Sequence, residues 1–284
     1  MRKRIESFSV LLRNSLLELV SSKIVDRCPS QILAQALAYT LENPGKCVRS
    51  FLASSSAQAF GAALEKTLPL CVAIEVMHTY SLIHDDLPSM DDAPIRRQKN
   101  SCHKEFGEAI ALLTGDALLT LTFELLSSMD EEYSTRCRII ELISRACGHS
   151  GMVGGQAMDI AELEFSESKD TAICIMHKSK TAMFFSASCE AGAILGGASP
   201  EEVKILSEYG MTLGQVFQAN DDLKDVQEDK AHSNMACILG VEKTVAYIDE
   251  MLCKCKSHLE KLDRDVTILK EFVAFMEDSV TWGK

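Results

Sequence analysis

The sequence is poor in prolines and aromatic residues and has no block of basic residues. Prolines number 6 in 284 residues, and aromatic residues make up 6%. Ala, Leu, Glu, Ser and Met recur instead, and strict alternation of apolar and polar residues is rare, so an all-α fold is predicted. A net charge of −12, without a lysine- or arginine-rich stretch, disfavours a nucleic-acid groove. Acidity does not exclude anionic ligands, because carboxylates bind phosphates through divalent metals.

Cysteine pairs of the CxxC type and long uncharged apolar runs are also missing. The 11 cysteines are scattered, with Cys253 and Cys255 the closest two, which is typical of reduced thiols in a cytosolic protein. No uncharged apolar run approaches about 18 residues, so no integral membrane segment is predicted. The basic start, "MRKRIESFSVLLRN", has no small-residue cleavage site after it and is interpreted as an amphipathic helix. A cytoplasmic protein is therefore expected.

Neither a shift in composition, a low-complexity segment nor a repeat divides the chain. A single domain over residues 1–284, with roughly ten helices, is the simplest interpretation. Pro69 is expected to open the long apolar segment that leads to Asp85, and the glycine-rich stretch 148–156 is expected between helices. The polar stretch 227–235 is expected to be a loop. Apolar spacing predicts helices at 9–20, 29–43, 48–64, 105–127, 135–150, 171–195, 201–226, 240–258 and 263–279.

The first of two aspartate clusters lies in "SLIHDDLPSMDDAPIRR", residues 81–97. Aspartates follow an apolar run, and two arginines follow the aspartates. Pro88 disfavours a regular helix inside the cluster. A helix that ends in a loop there would bring Asp85 and Asp91 together despite their spacing.

The second cluster, "GQVFQANDDLKDV", also follows an apolar run. On a helix Asp221 and Asp225 share one face, while Asp222 points about a quarter-turn away. Carboxylates on one face repel unless a cation lies between them. One such cluster is typically a solvated helix end, but two of them, one followed by arginines, favour a ligand. An HD-type phosphohydrolase, suggested by "HDD", is disfavoured because the other histidines form no convincing set.

Diphosphate binding is the chemistry that explains both clusters. Magnesium takes one or two carboxylates together with substrate phosphates and several waters. Arginine and lysine then neutralise the remaining phosphate oxygens.

With these motifs in view, the sequence resembles the trans-polyprenyl diphosphate synthases, and within them the short-chain bacterial farnesyl and geranylgeranyl diphosphate synthases. "GEAIALLTGDALL" at 107–119, "GGQAMD" at 154–159 and "HKSKT" at 177–181 match in order between the two aspartate motifs. The resemblance covers about residues 40–245. It implies an isoprenoid-synthase-type helical bundle around a deep central cavity, usually homodimeric. The implied reaction condenses isopentenyl diphosphate with an allylic diphosphate.

The same resemblance implies a role for each matching residue. Tyr80 and Ser81 would set chain length, and an aromatic ring at Tyr80 goes with the fifteen-carbon farnesyl product. Three Mg²⁺ ions per active site would be held by Asp85, Asp86, Asp91, Asp221 and Asp225, with Asp86 supporting and Asp225 linked through water. The substrates would be bound by Lys46, Arg49, His78, Arg96, Arg97, Lys180, Thr181 and Gln218. Of all these residues, the catalytic ones would be Asp85, Asp91, Arg96, Lys180, Thr181, Gln218 and Asp221.

Three departures from the family pattern leave alternatives open. In "PGKCVRS" at 44–50, Cys47 and Ser50 replace an arginine and a proline, and Pro94 alters the loop before the arginine pair. The loop after the second motif is short and has His232 in place of a lysine, with Lys230 as a substitute. A geranylgeranyl diphosphate synthase, a weakly active or regulatory subunit and a class I terpene cyclase are the alternatives.

Overall fold

Helices account for nearly all of the regular structure. The computed structural model describes residues 1–161, 168–226 and 233–279. Within these ranges it contains fourteen α-helices, two short π-helical segments and one two-stranded hairpin. The prediction of an all-α fold is therefore confirmed. The count exceeds roughly ten, because short helices such as Cys102–Phe106 and Met235–Leu239 carry no periodic signal of their own.

The chain divides into two compact units. The N-terminal unit comprises Arg2–Phe51 and Leu64–Arg136, and the C-terminal unit comprises Leu52–Ala63 and the chain from Cys137 onward. The prediction of a single domain stays a prediction. The first residues of α3 (Val48–Gln58) and α7 (Tyr133–Cys147) belong to the N-terminal unit. The elements that lie wholly within this unit are α1 (Arg2–Leu19), a π segment (Val20–Ile24), α2 (Gln31–Leu41), α4 (Leu64–Asp85), β1 (Ile95–Arg96), β2 (Lys99–Asn100), α5 (Cys102–Phe106) and α6 (Glu108–Ser127).

The C-terminal unit is built around one long helix. It contains α8 (Met152–Ile160), α9 (Lys169–His177), a π segment (Lys178–Ala182), α10 (Met183–Leu195), α11 (Pro200–Lys224), α12 (Met235–Leu239), α13 (Val241–Glu260) and α14 (Thr267–Ser279). Helix α11 packs against α10 and α13. A Cβ on Gly210 of α11 would lie 2.7 Å from Phe185 O, so this glycine permits the close approach of α10. Phe184, Phe185, Tyr209 and Phe272 are among the fully buried side chains of this core.

In the N-terminal unit the central pair is α4 with α6. Leu70, Ile74 and Met77 of α4 and Leu118 of α6 are buried. Near the end of α4, the His84 ring lies where a Cβ on Gly115 would be, at well under 3.0 Å. Nε2 of His84 lies 3.0 Å from Leu112 O. The glycine of "LLTGD" is thus required for the crossing that fixes the end of α4, where the first aspartate motif begins.

Several predicted boundaries are wrong for identifiable reasons. Helix α4 begins at Leu64, and Pro69 lies inside it. Pro69 is the sixth residue of α4, so the N–H that it lacks removes only one hydrogen bond, to a carbonyl of the first turn. The predicted helix 105–127 is two helices, because Gly107 takes a φ of 84° between them. The stretch 148–156 is not entirely a connection, since α8 begins at Met152.

Helix α6 is long and apolar enough to cross a membrane by length and composition alone. Only 33% of the apolar stretch of this helix is buried within the protein. A core helix of a soluble protein can be equally long and apolar. The absence of an integral membrane segment stays a prediction. The predicted loop residues Lys230 and His232 lie outside the described residues.

A capping box at the start of α11 gives a pH-dependent prediction. Ser199 N donates to Glu202 Oε2 (2.8 Å), and Arg264 Nε donates to Glu202 Oε1 (2.8 Å). These bonds lower the pKa of Glu202 from 4.5 to about 2. A carboxyl whose pKa is depressed in the folded state stabilises it above the unfolded pKa, and loses this contribution as the pH falls through the folded pKa. We expect Glu202→Gln to lower Tm at pH 7, and the deficit to shrink between pH 4.5 and 2 in calorimetry.

The neighbouring exposed Glu201 is the matched control. Its replacement by glutamine should change Tm little at either pH. If Glu202→Gln lowered Tm equally at pH 7 and pH 2, the stabilisation would not depend on the ionisation of Glu202, and the prediction would be wrong.

Candidate active site

The first aspartate motif forms a closed loop at the end of α4. Asp91 N donates to Asp85 O (3.0 Å), and Asp92 N donates to Leu87 O (3.1 Å). Asp92 takes a left-handed φ of 46°, which closes the loop. Asp91 is exposed and Asp85 half-buried. The structure thus brings the backbones of Asp85 and Asp91 together, as the sequence predicts.

Asp86 is more deeply buried than Asp85 and accepts hydrogen bonds from Arg96. It is only 2% exposed, and its carboxylate accepts two hydrogen bonds at Oδ1, from Arg96 Nε (3.0 Å) and Nη2 (2.5 Å). The hydrogen bond to Asp86 raises the pKa of Arg96, burial opposes this, and the charges of Asp86, Asp85 and Asp91 raise it further. Arg96 is therefore bonded to Asp86 and lies within electrostatic range of Asp85 and Asp91. Asp86 orients the arginine, while a role for Asp86 in binding metal stays a prediction.

The two arginines of the β1–β2 hairpin have different hydrogen-bond partners. Ile95 pairs with Asn100 and Arg96 with Lys99, so Arg97 and Gln98 form the turn, with φ of 51° and 67°. Two positive φ angles are the signature of the type I′ hairpin turn. Arg96 donates to Asp86, while Arg97 donates to the backbone of Asn43.

Arg97 is seated on the loop that precedes α3. Its Nη1 donates to Asn43 O (2.6 Å), and its Nη2 lies 3.7 Å from the buried Glu75 Oε1. A Cβ on Gly45 would lie 2.7 Å from Arg97 Nε, so the glycine retained in "PGKCVRS" makes room for the guanidinium. Burial lowers the pKa of Arg97. Burial also raises the pKa of Glu75, although the charges of Arg97 and Arg49 oppose this.

A small cavity adjoins this arginine pair. Its volume is about 50 Å³, which is room for a few waters. Asp86, Arg96 and Arg97 line it, together with Asn43 and Thr79. The Thr79 hydroxyl is buried and has no hydrogen-bond partner among the described residues.

The remaining residues of the predicted isopentenyl diphosphate site lie in the same unit. Lys46 is exposed, and its carbonyl accepts from Ser9 Oγ (3.0 Å). Arg49 Nη1 lies 3.5 Å from His78 Nε2. Burial, and then the charge of Arg49, hold the pKa of His78 well below its usual 6.5. The lowered pKa favours the neutral ring of His78, which accepts from Arg49 because a guanidinium can only donate.

The predicted chain-length residues, Tyr80 and Ser81, lie on α4, just over one helical turn before Asp85. Tyr80 is 5% exposed, and its ring meets the His84 ring edge-on, with centroids 5.7 Å apart. Ser81 Oγ donates to His78 O (2.9 Å). Tyr80 is thus a fixed, buried ring.

In the C-terminal unit, Lys180 and Thr181 lie on the π segment Lys178–Ala182. Such π-helical turns are frequent at functional sites. A glycine packs on each side of this one. A Cβ on Gly155 of α8 would meet Lys180 N and Cα at well under 3.0 Å, and a Cβ on Gly214 of α11 would lie 2.5 Å from Ala182 Cα. These glycines belong to "GGQAMD" and "GQVFQ", so both motifs serve to seat the segment.

Lys180 has a partner that the sequence did not indicate. Its Nζ donates to Asp159 Oδ2 (2.5 Å). Asp159 follows Gly155 by four residues on α8, so both lie on the face that meets Lys180. The spacing within "GGQAMD" is the available signal for this contact.

The second aspartate motif closes α11. Asp221 is half-buried, Lys224 Nζ donates to its Oδ1 (3.0 Å), and Asp225 is exposed at the C-cap. Gln218 lies one turn earlier, and its Oε1 accepts from Thr181 Oγ1 (2.7 Å). Gln218 and Thr181 are thus brought together, as the prediction of a shared role requires.

Asp222 and His177 are not among the predicted site residues. Asp222 is 4% exposed, and its Oδ2 lies 3.1 Å from Nε2 of His177, which is 1% exposed. The predicted quarter-turn between Asp222 and Asp221 on α11 accounts for this inward direction. The signal for His177 is its place three residues before Lys180.

The carboxylates fit magnesium better than zinc. Within residues 1–161, 168–226 and 233–279, no group of three or more His, Cys, Asp or Glu side chains forms a ready metal site. The aspartate loop offers Asp85 and Asp91, and α11 offers Asp221 with Asp225 beside it. Pairs of oxygen ligands without histidine or thiolate are what Mg²⁺ uses when phosphates and waters complete its shell.

Comparisons with known proteins agree with these motifs. Residues 30–238 match the polyprenyl synthetase family. A farnesyl diphosphate synthase of Geobacillus stearothermophilus is 44% identical over 198 residues, which are 69% of this chain and 66% of that protein. A chloroplastic geranylgeranyl pyrophosphate synthase 7 of Arabidopsis thaliana is 32% identical over 273 residues, 90% of this chain and 78% of that protein.

Solved structures show the same fold. A geranyltransferase of Legionella pneumophila superposes with a TM-score of 0.88 at 28% identity, covering 100% of this chain and 99% of that one. An FPP/GFPP synthase of Zymomonas mobilis gives 0.87 at 31% identity, covering 97% and 99%. The predicted isoprenoid-synthase fold is confirmed. On its sequence, its motifs and its fold, the chain belongs to the polyprenyl synthetase family.

Proposed function

We propose that the protein is a short-chain trans-prenyltransferase that condenses isopentenyl diphosphate with dimethylallyl or geranyl diphosphate, giving farnesyl diphosphate. The observation that carries the proposal is the aspartate loop. The Asp91 N–Asp85 O bond (3.0 Å) joins the backbones of two aspartates, and the charges of both act on an arginine that Asp86 orients. Carboxylates near an arginine can bind cations, while the arginine can bind an anion. Metal-bound diphosphate supplies both.

Each residue has a role in this reaction. Asp85 and Asp91 would hold Mg²⁺, and Asp221, supported by Asp225, would hold a further ion. Bound magnesium supplies Lewis-acid stabilisation of the departing diphosphate. Arg96 and Lys180 contact the allylic diphosphate, for which Lys180 must leave Asp159. Arg97, Arg49, Lys46 and His78 bind isopentenyl diphosphate.

Ionisation of the allylic carbon–oxygen bond leaves a carbocation that needs electron-rich neighbours. The oxygens of Thr181 and Gln218, joined at 2.7 Å, are the groups that we assign to this role. Oriented dipoles stabilise developing charge without reorganising during the reaction. The double bond of isopentenyl diphosphate then attacks the cation, and the released diphosphate takes the proton that is lost.

We further propose a cytoplasmic homodimer. All eleven cysteines lie in the described part of the chain and carry reduced thiols, in keeping with a reducing compartment. Leu112 and Leu113 on α6 are 47% and 51% exposed. An open groove of about 540 Å³ beside them is lined by Leu33, Leu37, Leu113 and Leu121 and by the charged residues Lys23, Arg27, Asp116 and Glu124. Exposed apolar residues with polar ones among them are typical of a surface that another subunit covers.

The test is to incubate the purified protein with Mg²⁺, isopentenyl diphosphate and allylic primers of each length. Product length is then measured by chromatography, and mass in solution by light scattering. We expect farnesyl diphosphate from a dimer acting alone. Turnover without isopentenyl diphosphate would instead indicate a class I terpene cyclase, and turnover only with a related partner would indicate a regulatory subunit.

Tyr80→Ala should lengthen the product. Tyr80 is a fixed, buried ring one turn and more before Asp85, and we assign it to the floor beneath the growing chain. Without the ring, extension should continue to twenty carbons or beyond, with farnesyl diphosphate becoming a minor product. Tyr133→Ala, which removes a ring that is 79% exposed on α7, is the control and should leave product length unchanged. Unchanged product length in Tyr80→Ala would rule out the assignment.

A further inference from the structure

Asp222 is the buried member of the second aspartate motif. Its Oδ1 accepts from Gln218 Nε2 (3.0 Å), and its Oδ2 accepts from Met235 N (2.6 Å). Its carbonyl accepts from Asn234 Nδ2 (2.8 Å). His177 Nε2 also lies 3.1 Å from Oδ2, and Asp222 is 4% exposed.

Both side-chain oxygens of Asp222 accept hydrogen bonds, so this residue dictates which end of Gln218 faces it. The Gln218 amide must turn its NH₂ group to Asp222. Its Oε1 is then left for Thr181, whose hydroxyl donates to it at 2.7 Å. The direction of donation is therefore set from Asp222 outward, through Gln218 to Thr181.

We propose that Asp222 is a positioning residue that fixes the amide orientation of Gln218, so that oxygens rather than N–H groups are presented beside Thr181. This rests on the proposed function, in which Gln218 and Thr181 stabilise a carbocation. A flipped amide would place the positive end of the N–H dipole where the Oε1 lone pairs lie. The same side chains would then oppose the charge that they otherwise stabilise.

The buried anchors on the far side of Asp222 explain why its orientation is fixed. Met235 N and Asn234 belong to the start of α12, and His177 is the last residue of α9. Asp222 thus ties three segments to one point. Because Oδ2 is engaged by Met235 N, Oδ1 is the oxygen that remains for Gln218.

A double-mutant cycle tests the proposal. In Asp222→Asn, the side-chain oxygen is required by Met235 N, so the new NH₂ group faces Gln218 and flips its amide. We expect kcat for prenyl transfer to fall about 100-fold, with KM for isopentenyl diphosphate changed less than about threefold. In Gln218→Glu alone, two carboxylates meet at the 3.0 Å contact, and kcat should also fall.

Combining the two substitutions should restore the pattern of donors and acceptors. The carboxylate introduced at position 218 would accept from the amide introduced at position 222 and from the Thr181 hydroxyl, so oxygens again face Thr181. We expect the double variant to recover at least about tenfold in kcat over Asp222→Asn, a coupling that non-interacting sites do not show. Gln215→Glu on the same helix is the control, because Gln215 Oε1 accepts from Tyr247 OH (3.2 Å) and a carboxylate preserves that bond.

A second readout does not depend on turnover. With ¹⁵N-labelled glutamine, the Gln218 side-chain NH₂ signal should be shifted and slow to exchange in the wild type, and Asp222→Asn should alter it while Gln215→Glu should not. If the wild type makes no prenyl product but shows this signal, the proposed function fails and the positioning role stands. An unaltered signal, or a double variant no better than Asp222→Asn, would overturn the proposal.

Discussion

Asp85→Asn and Asp221→Asn should each lower kcat for prenyl transfer by about 10²- to 10³-fold. Asparagine keeps the size of the side chain but removes the charge that we assign to binding a divalent cation. Asp85 sits in the closed loop with Asp91, and Asp221 lies in the last turn of α11. Neither is fully buried, so the folded structure should survive both changes. Turnover is measured with saturating substrates, and magnesium-dependent binding of an allylic diphosphate analogue by calorimetry.

Asp249, exposed on α13, provides the matched control, and Asp249→Asn should behave like the wild type. Near-normal rates in both Asp85→Asn and Asp221→Asn would remove the metal assignment. A loss accompanied by a fall in Tm of many degrees would instead indicate that the aspartates act in folding.

Gly155→Ala should also abolish most of the activity, through the backbone. Its Cβ would meet Lys180 N and Cα at well under 3.0 Å, and both atoms belong to the main chain, so no side-chain rotation relieves the contact. The π segment must move away from α8, which displaces Lys180 and Thr181 together. We expect kcat to fall about 100-fold, since displacements near 1 Å are costly in catalysis, and Tm to fall as well.

Ala157→Leu adds a larger side chain on the exposed face of the same helix and should leave kcat unchanged. An active Gly155→Ala variant with normal Tm would show that α8 and the π segment can separate freely. Lys180→Ala supplies the comparison for activity, because it removes the ammonium without moving the segment.

Periodicity in the sequence is enough to find most of the long helices, and local chemistry explains the errors. Pro69 resembles a helix start in the sequence, but early in α4 it removes only one first-turn hydrogen bond. Gly107 lies inside a helix that periodicity predicts as continuous, although its positive φ ends α5. A glycine's φ is not written in the apolar pattern around it, so such breaks escape periodicity.

The motifs also locate the candidate site, but they do not indicate which of its side chains bond to one another. Spacing alone suggests that Asp85 and Asp91 meet and that Asp222 points away from Asp221. That Asp86 engages Arg96, or that Asp159 engages Lys180, depends on how a hairpin and a separate helix pack. Contacts between residues distant in sequence are set by tertiary packing, for which one sequence carries no direct signal.

The turn of the β1–β2 hairpin bears on the thermodynamics of binding. Arg97 and Gln98 hold left-handed φ angles that cost a residue other than glycine roughly 1 kcal/mol or more. Arg97 is also pinned by Asn43 O and fitted against Gly45. The conformational entropy of this guanidinium is therefore lost when the chain folds, not when an anion arrives. An anion that reaches Arg97 meets a preorganised receptor, and its affinity is not reduced by the cost of ordering that side chain.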